Sequence, residues 1–405
     1  MDKKLSPPTQ HILVLNSGSS SLKFAVYAWG ANDRSWLSGK LARIGLPDAY
    51  VELRDSEHNL HSSQHNLPDH SAALTVLVDW LGQQPELQLK AVGHRLVHGG
   101  ANYQTPQRVT AKLLTDLKPL IPFAPDHLPA EISLIEAVDQ LYPNLPQVVC
   151  FDTAFHQTMP DRARRLPIPR HLAEKGIVRY GFHGLSYEYV LDQLAQQAGT
   201  QATQERVVLA HLGNGASMVA VRSGKSIDTT MGFTPTGGLM MGTRSGDLDP
   251  GVLLYLLANG YATSETLSHL LNDESGLRGV SGISSDMQTL LNQAPKHRHA
   301  ADAIDLFCYL AQKQLGGLVA ALNGLDTLVF TGGIGENSPE IRARICSDLQ
   351  YSGIGLDAER NRTNASIISP EGQRPVVRVI PTNEEYIIAQ QTQQLLYTEY
   401  KPINH

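Results

Sequence analysis

The chain has little cysteine, no long apolar run and no strong charge of either sign. Its three cysteines, Cys150, Cys308 and Cys346, are odd in number and show no metal-ligand spacing. They argue against a disulfide framework or a zinc site and read as buried, reduced thiols of a cytoplasmic protein. Nowhere does an apolar stretch approach the ~18 residues of a membrane span. The amino-terminal MDKKLSPPTQ is polar and contains proline, without the apolar core of a signal peptide. A net charge of −6 and an isoelectric point near 6.2 argue against nucleic acid or a membrane surface as partner. The basic cluster Arg162, Arg164, Arg165 and Arg170 reads as a solvated loop broken by prolines.

What is present is 405 residues of ordinary globular composition, enough for two to three domains with large cores. The organising stretch is HILVLNSGSSSLKFAVY, His11 to Tyr27. It reads as strand, small polar turn, strand. Asn16 to Ser21 offer backbone N–H groups and small hydroxyls, and Lys23 adds a positive charge, which is the chemistry of a phosphate cradle. The plan recurs at Val207 to Val221 around Gly213-Asn214-Gly215-Ala216-Ser217. A third glycine-rich turn, Gly332-Gly333-Ile334-Gly335-Glu336-Asn337, follows the apolar Leu328 to Phe330. Three such turns suggest one nucleotide held from several sides, and the first two suggest an internal duplication.

Between these turns, strands alternate with helices, and several strands end in a Gly, Asp or Arg loop. The pattern predicts an α/β fold with ligands at the carboxyl ends of strands. Helices are expected at 71–83, about 110–120, 129–141, 185–197, 250–258, 264–272, 300–322 and 339–349. A domain boundary is placed near residue 152. The long Gly-rich stretch from Gly224 to Gly251, with Arg244, Asp247 and Asp249, is of the length that usually carries function. Thr382-Asn383-Glu384-Glu385 opens the last helix with a cap and two acids.

Three familiar motifs fail. Gly224-Lys225-Ser226 lacks the first glycine of a P-loop, since Val219 stands there, and Ser338 replaces the third glycine of a dinucleotide fingerprint. Ser20-Ser21-Leu22-Lys23 matches S-x-x-K of acyl-enzyme hydrolases, but lies between strands rather than at a helix start.

The segments NSGSSSLKF, GHRLVHGG, FDTAFH, GFHGLS, HLGNGAS, TPTGGLMMGTRSGDLDPG, FTGGIGEN and PTNEE occur in this order between residue 11 and about 395. In that combination the chain resembles the acetate kinase family, which includes acetate and propionate kinases. The resemblance implies two duplicated actin-like ATPase (ribonuclease H-like) domains, with a nucleotide in the cleft between them. The amino-terminal domain would comprise 1–152 plus 383–405, and the carboxyl-terminal domain 153–382. The chain departs from the family at Asp126-His127-Leu128, where Leu-His-Asn is usual, and at Gln288, where the family tends to carry Arg.

The implied activity is ATP-dependent, reversible phosphorylation of acetate to acetyl phosphate, with propionate or butyrate as alternative substrates and Mg²⁺ (or Mn²⁺) as the metal. Such a reaction brings two anions together, so charge neutralisation and positioning dominate catalysis. Arg95 would clamp the substrate carboxylate and Arg244 would neutralise the moving phosphoryl group. His183, with His127 as a second candidate, would donate to the transition state. Asn16 and Glu384 would hold the metal, with Glu385 as a substitute. Asp152 would be the active-site acid, though a carboxylate nucleophile has no proton to remove. A positioning role is therefore expected for it. The resemblance gives Val97, Phe182 and Pro235 as the acid-binding wall. It gives Lys23, His211, Leu212, Gly213, Asn214, Gly215, Asp286, Met287, Gln288, Gly333, Ile334, Gly335, Glu336 and Asn337 as nucleotide contacts. It further implies a homodimer. A rival of another class is a non-catalytic actin-like ATPase that switches partners.

Overall fold

The computed structural model describes residues 10–400 except Ser19, Ala31, Asn32, Ser56 and His58, and leaves out the side chains of Glu399 and Tyr400. The readings of the polar amino terminus and of Ser19 lie outside the described residues. The chain divides into two units, Met1–Ala154 with Asn383–His405, and Phe155–Thr382.

Strands β1 (His11–Gly18), β2 (Ser21–Ala28), β3 (Leu37–Ala42), β4 (Tyr50–Arg54), β5 (Leu60–Gln64), β6 (Leu89–Leu96), β7 (Gln107–Arg108) and β8 (Gln147–Phe151) build the sheet of the first unit. Their order is β5-β4-β3-β2-β1-β6-β8-β7, with β1, β6 and β8 parallel and the hairpin side antiparallel. β1 is buried almost throughout because both of its faces are covered. Leu13 and Leu15 meet Phe24, Leu41 and the helix His70–Gly82 through Leu74 and Leu77. The last helix, Glu384–Tyr400, packs on β1, β6 and β8. Gly93 admits it: a Cβ there would lie 2.7 Å from Ile388 and collide with Thr392.

The second unit repeats this plan. Strands β9 (Arg206–Leu212), β10 (Ala216–Arg222), β11 (Lys225–Thr229), β12 (Thr327–Thr331) and β13 (Val376–Val379) run in the order β11-β10-β9-β12-β13. An antiparallel hairpin lies on one side of β9 and two parallel strands on the other. This is the arrangement β3-β2-β1-β6-β8 of the first unit. Behind β9 and β10 lies the 25-residue helix Arg298–Leu322.

Three local differences from the sequence reading have physical reasons. The third glycine-rich segment is a short helix, Gly332–Asn337, because the Glu336 carboxylate accepts the Gly332 N–H at 2.9 Å and closes the turn on itself. The stretch after Gly224 begins as the strand β11 before its long loop from 230 to 249. The first unit runs to Ala154, past the expected break near 152. Asp152 N–H donates to the Leu96 carbonyl and Thr153 Oγ1 accepts from Gly99 N–H, which keeps both residues on the first sheet.

Candidate active site

In the first unit, the carboxyl ends of three adjacent parallel strands supply Asn16 and Ser17 (β1), Arg95 (β6) and Asp152 (just past β8). Arg95 donates from Nη2 to Asp152 Oδ2 at 2.5 Å and from Nε to the same oxygen at 3.1 Å. Its Nη1 reaches the Ser17 carbonyl and Glu131 Oε1, each at 3.5 Å. Burial opposes the charge on Arg95, but Asp152, Glu131 and Glu384 outweigh it and hold the guanidinium protonated. Glu131, in the first turn of the helix Leu128–Leu141, also accepts the Val97 N–H at 3.0 Å. His127 stands immediately before that helix, its carbonyl accepting from Glu131 N–H.

The last helix brings Glu384 and Glu385 to the same strand end. Asn16 Nδ2 donates to Glu384 Oε2 at 3.3 Å and to Glu385 Oε1 at 3.0 Å. Burial raises the Glu384 pKa and Arg95 opposes it, while the charge of Glu385 adds to the rise. Ser17 Oγ is buried without a hydrogen-bond partner among the described residues. Lys23, on the interior strand β2, has an exposed side chain and lines a cavity of about 330 Å³ with Lys40, Arg54, Asn383 and Glu385.

In the second unit, His183 occupies the left-handed region (φ 60°) just before the helix Gly184–Ala198. Its Nδ1 pairs with Ser217 Oγ at 2.8 Å, and Tyr187 closes on the same hydroxyl. The ring stacks on His211 at 4.3 Å, and His211 Nδ1 pairs with Ser186. Arg244, from the long loop, donates to the Pro235 carbonyl at 2.7 Å. A Cβ on Gly215 would lie 2.8 Å from Arg244 Nη2 and 3.4 Å from His183 Nε2. Both side chains therefore converge on the backbone of the β9–β10 hairpin. Phe182, fully buried, precedes His183, and its carbonyl accepts from His156 Nε2 at 2.9 Å.

A cavity of about 380 Å³ lies beside this cluster. Gly213, Asn214, Asp286, Met287, Gln288, Gly333, Ile334 and Asn337 line it. His211, Leu212, Gly215, Gly335 and Glu336, also expected as nucleotide contacts, are not on its wall. Glu336 is occupied within the fold, since its Oε1 accepts from Gly332 N–H and Thr382 N–H. Asp286 caps the helix Met287–Gln293 through Thr289 N–H at 2.7 Å, which fixes Met287 and Gln288 at the cavity edge. Sequence reasoning missed Glu131, Ser217 and His156. Glu131 alone carries a signal, an acid among the apolar positions of an otherwise buried helix face.

Two repeated α/β units with phosphate-type hairpins at their strand ends define an enzyme of the actin-like ATPase class. The acetokinase family model matches residues 11–390, and the chain belongs to that family. It is 46% identical over 391 residues to the acetate kinase of Rhodopseudomonas palustris, covering 95% of this chain and 98% of that protein. The crystal structure of Porphyromonas gingivalis acetate kinase superposes with a TM-score of 0.85 at 36% identity, over 96% of this chain and 100% of that one. A propionate kinase from Francisella tularensis gives 0.88 at 39%, over 95% and 99%.

Proposed function

We propose that the protein transfers the γ-phosphoryl group of ATP to acetate, giving acetyl phosphate and ADP, reversibly. A carboxylate oxygen attacks phosphorus, the bond to the β–γ bridging oxygen breaks, and ADP leaves with that electron pair. The observation that carries this reading is the convergence of Arg244 Nη2 and His183 Nε2 on Gly215. A cation and an imidazole aimed at a phosphate-type turn serve charge developing in transfer, which a non-catalytic switch does not need. The cavity around Gly213, Asp286 and Gln288 would take the nucleoside, and Arg95 the carboxylate, with Val97, Phe182 and Pro235 as the acid-binding wall. The test is hydroxamate formation from ATP, acetate and hydroxylamine. No acyl phosphate from any acid between acetate and butyrate would refute the reading. Choice among these acids rests on about 1–3 kcal/mol per methylene, and the measured ratio of kcat/KM values decides it.

The donor set at the end of β1 suits Mg²⁺. Asn16, Glu384 and Glu385 offer hard oxygens. Asn16 and Glu384 would hold the ion, which when bound supplies charge neutralisation to the phosphates.

A cytoplasmic location is part of this reading. Among the described residues no helix is long and apolar enough to cross a membrane. Cys150, Cys308 and Cys346 are buried, and burial pushes the last two thiols up to about 12.

A homodimer is the oligomer this reading expects. Every residue of the apolar helix Pro250–Ala258 stays at least partly exposed, with Leu254 at 68% and Tyr255 at 58%. A monomer in equilibrium sedimentation would remove that part of the proposal.

A further inference from the structure

Arg95 is the charge to which the proposed reaction entrusts the substrate carboxylate, yet it is already flanked by acids. Asp152 takes Nε and Nη2 through one oxygen. Glu131 sits at Nη1 with its other oxygen on the Val97 N–H. Glu131 is 2% exposed, set among Leu128, Ile132 and Ile135 of its helix. A buried carboxylate at such a place needs a reason, because leaving water is costly unless partners compensate. Asp152 alone already gives the guanidinium a bonded counterion.

We propose that Glu131 is a positioning residue for the acid-binding edge. Its carboxyl joins the Arg95 fork to the Val97 backbone, and its own charge sets how strongly Arg95 attracts a second carboxylate. The proposal rests on the reading that Arg95 receives the substrate acid. When Glu131 is ionised, two fixed negative charges share one guanidinium and the incoming anion competes with both. When Glu131 is neutral, one of the negative charges facing the guanidinium is gone and the acid is drawn in.

The groups facing Glu131 are Arg95 from β6, Asp152 from the end of β8 and the Val97 N–H, while Glu384 of the last helix acts on Arg95. Burial pushes the Glu131 carboxyl up to about 7, against the pull of Arg95. The group therefore changes charge in the neutral range, far from the ~4.3 of a simple carboxylic acid such as the substrate.

The experiment measures KM for acetate and for ATP from pH 6 to pH 8 in the wild-type enzyme, Glu131→Gln and Glu131→Ala. Glutamine is neutral, nearly isosteric and still able to accept from Val97 N–H. The wild-type acetate KM is expected to rise roughly three- to tenfold across this interval, the size of one screened charge a few ångströms away. In Glu131→Gln it stays flat and near the low-pH wild-type value, with ATP KM unchanged in both. Glu131→Ala loses the link as well as the charge, so its acetate KM is high at every pH and glutamine rescues it. A Glu131→Gln profile that follows the wild type, or a glutamine variant no better than alanine, overturns the proposal. A wild-type enzyme that makes no acyl phosphate overturns the parent reading instead, and that outcome is read before any variant is compared.

Discussion

Arg95 and Asp152 are joined through a single carboxylate oxygen, with Nη2 at 2.5 Å and Nε at 3.1 Å from Oδ2. A carboxylate locked in this way to a guanidinium is a weak proton acceptor, since removing its negative charge costs the ion pair. The proposed nucleophile has no proton to give at neutral pH. The role proposed for Asp152 is therefore to aim Arg95. Asp152→Asn is expected to lower kcat and raise the acetate KM, because the fork loses its anchor. Single-turnover phosphoryl transfer by the wild type should show little solvent deuterium isotope effect. A large normal effect, lost in Asp152→Asn, would restore a general-base role.

The two arginines divide the work differently. In the proposed reaction Arg95, held by Asp152 and Glu131, would meet the acid in ground and transition states alike. Arg244, anchored on the Pro235 carbonyl with Nη2 turned to Gly215, would meet charge that develops in transfer. Arg95→Ala should chiefly raise the acetate KM. Arg244→Ala should chiefly lower kcat, on the order of 10³–10⁵-fold if it acts as such arginines do elsewhere. Steady-state kinetics with each substrate varied in turn separates the two. Equal changes in KM alone would refute the assignment.

Gln288 stands where the family tends to carry arginine. Its Nε2 donates to Asn292 at 3.3 Å, one turn along the same helix, while it lines the cavity. An amide tied to its own helix offers a base or ribose less than a guanidinium would. The enzyme should therefore discriminate weakly among ATP, GTP and ITP, and Gln288→Arg should sharpen the preference. Unchanged ratios of kcat/KM in that variant would show that the position does not read the base.

Much of this was legible in the sequence because hairpins and parallel strands leave local marks. Asn16 to Ser21 and Gly213 to Ser217 announce their turns, and the shared strand order of the two sheets bears out the duplication they suggested. The Gly332–Asn337 helix was not legible, because glycine-rich composition favours a turn and the closing contact comes from Glu336, four residues on. Glu131 left a partial mark, an acid on the face that carries Leu128, Ile132 and Ile135, but its partner was not legible. Only the packing of that helix brings it to Arg95. Long-range pairings such as Asn16 with Glu384 and Glu385, more than 360 residues apart, have no local signature. Their proposed metal role came from family resemblance, which the fold supports by bringing them together.

Buried histidines lower the acid stability of the fold. Burial holds His94, His98 and His156 neutral, with pKa values lowered from 6.5 to about 4. In the unfolded chain each takes a proton below about 6.5, whereas in the folded chain it does so only near 4. Between these limits the unfolded state binds more protons, so stability falls as pH falls through this window. Glu131 works in the opposite sense: raised from 4.5 to about 7, it stabilises the fold below 4.5 and loses that contribution as pH rises through 7. Burial raises the Glu384, Asp192 and Asp228 carboxyls in the same sense and lowers His11, so acids and histidines oppose one another between about 6.5 and 4.5. Denaturant unfolding at a series of pH values reads the histidine share when the wild type is compared with a variant of one histidine. The contribution of each histidine to the slope is up to about 1.4 kcal/mol per pH unit. His98→Asn keeps an acceptor for the Gly100 N–H, which His98 Nδ1 now receives at 2.8 Å, but cannot take up a proton. Its slope should be shallower by about one proton, whatever its stability at pH 8. A slope identical to the wild type would mean that His98 already carries its proton in the folded state.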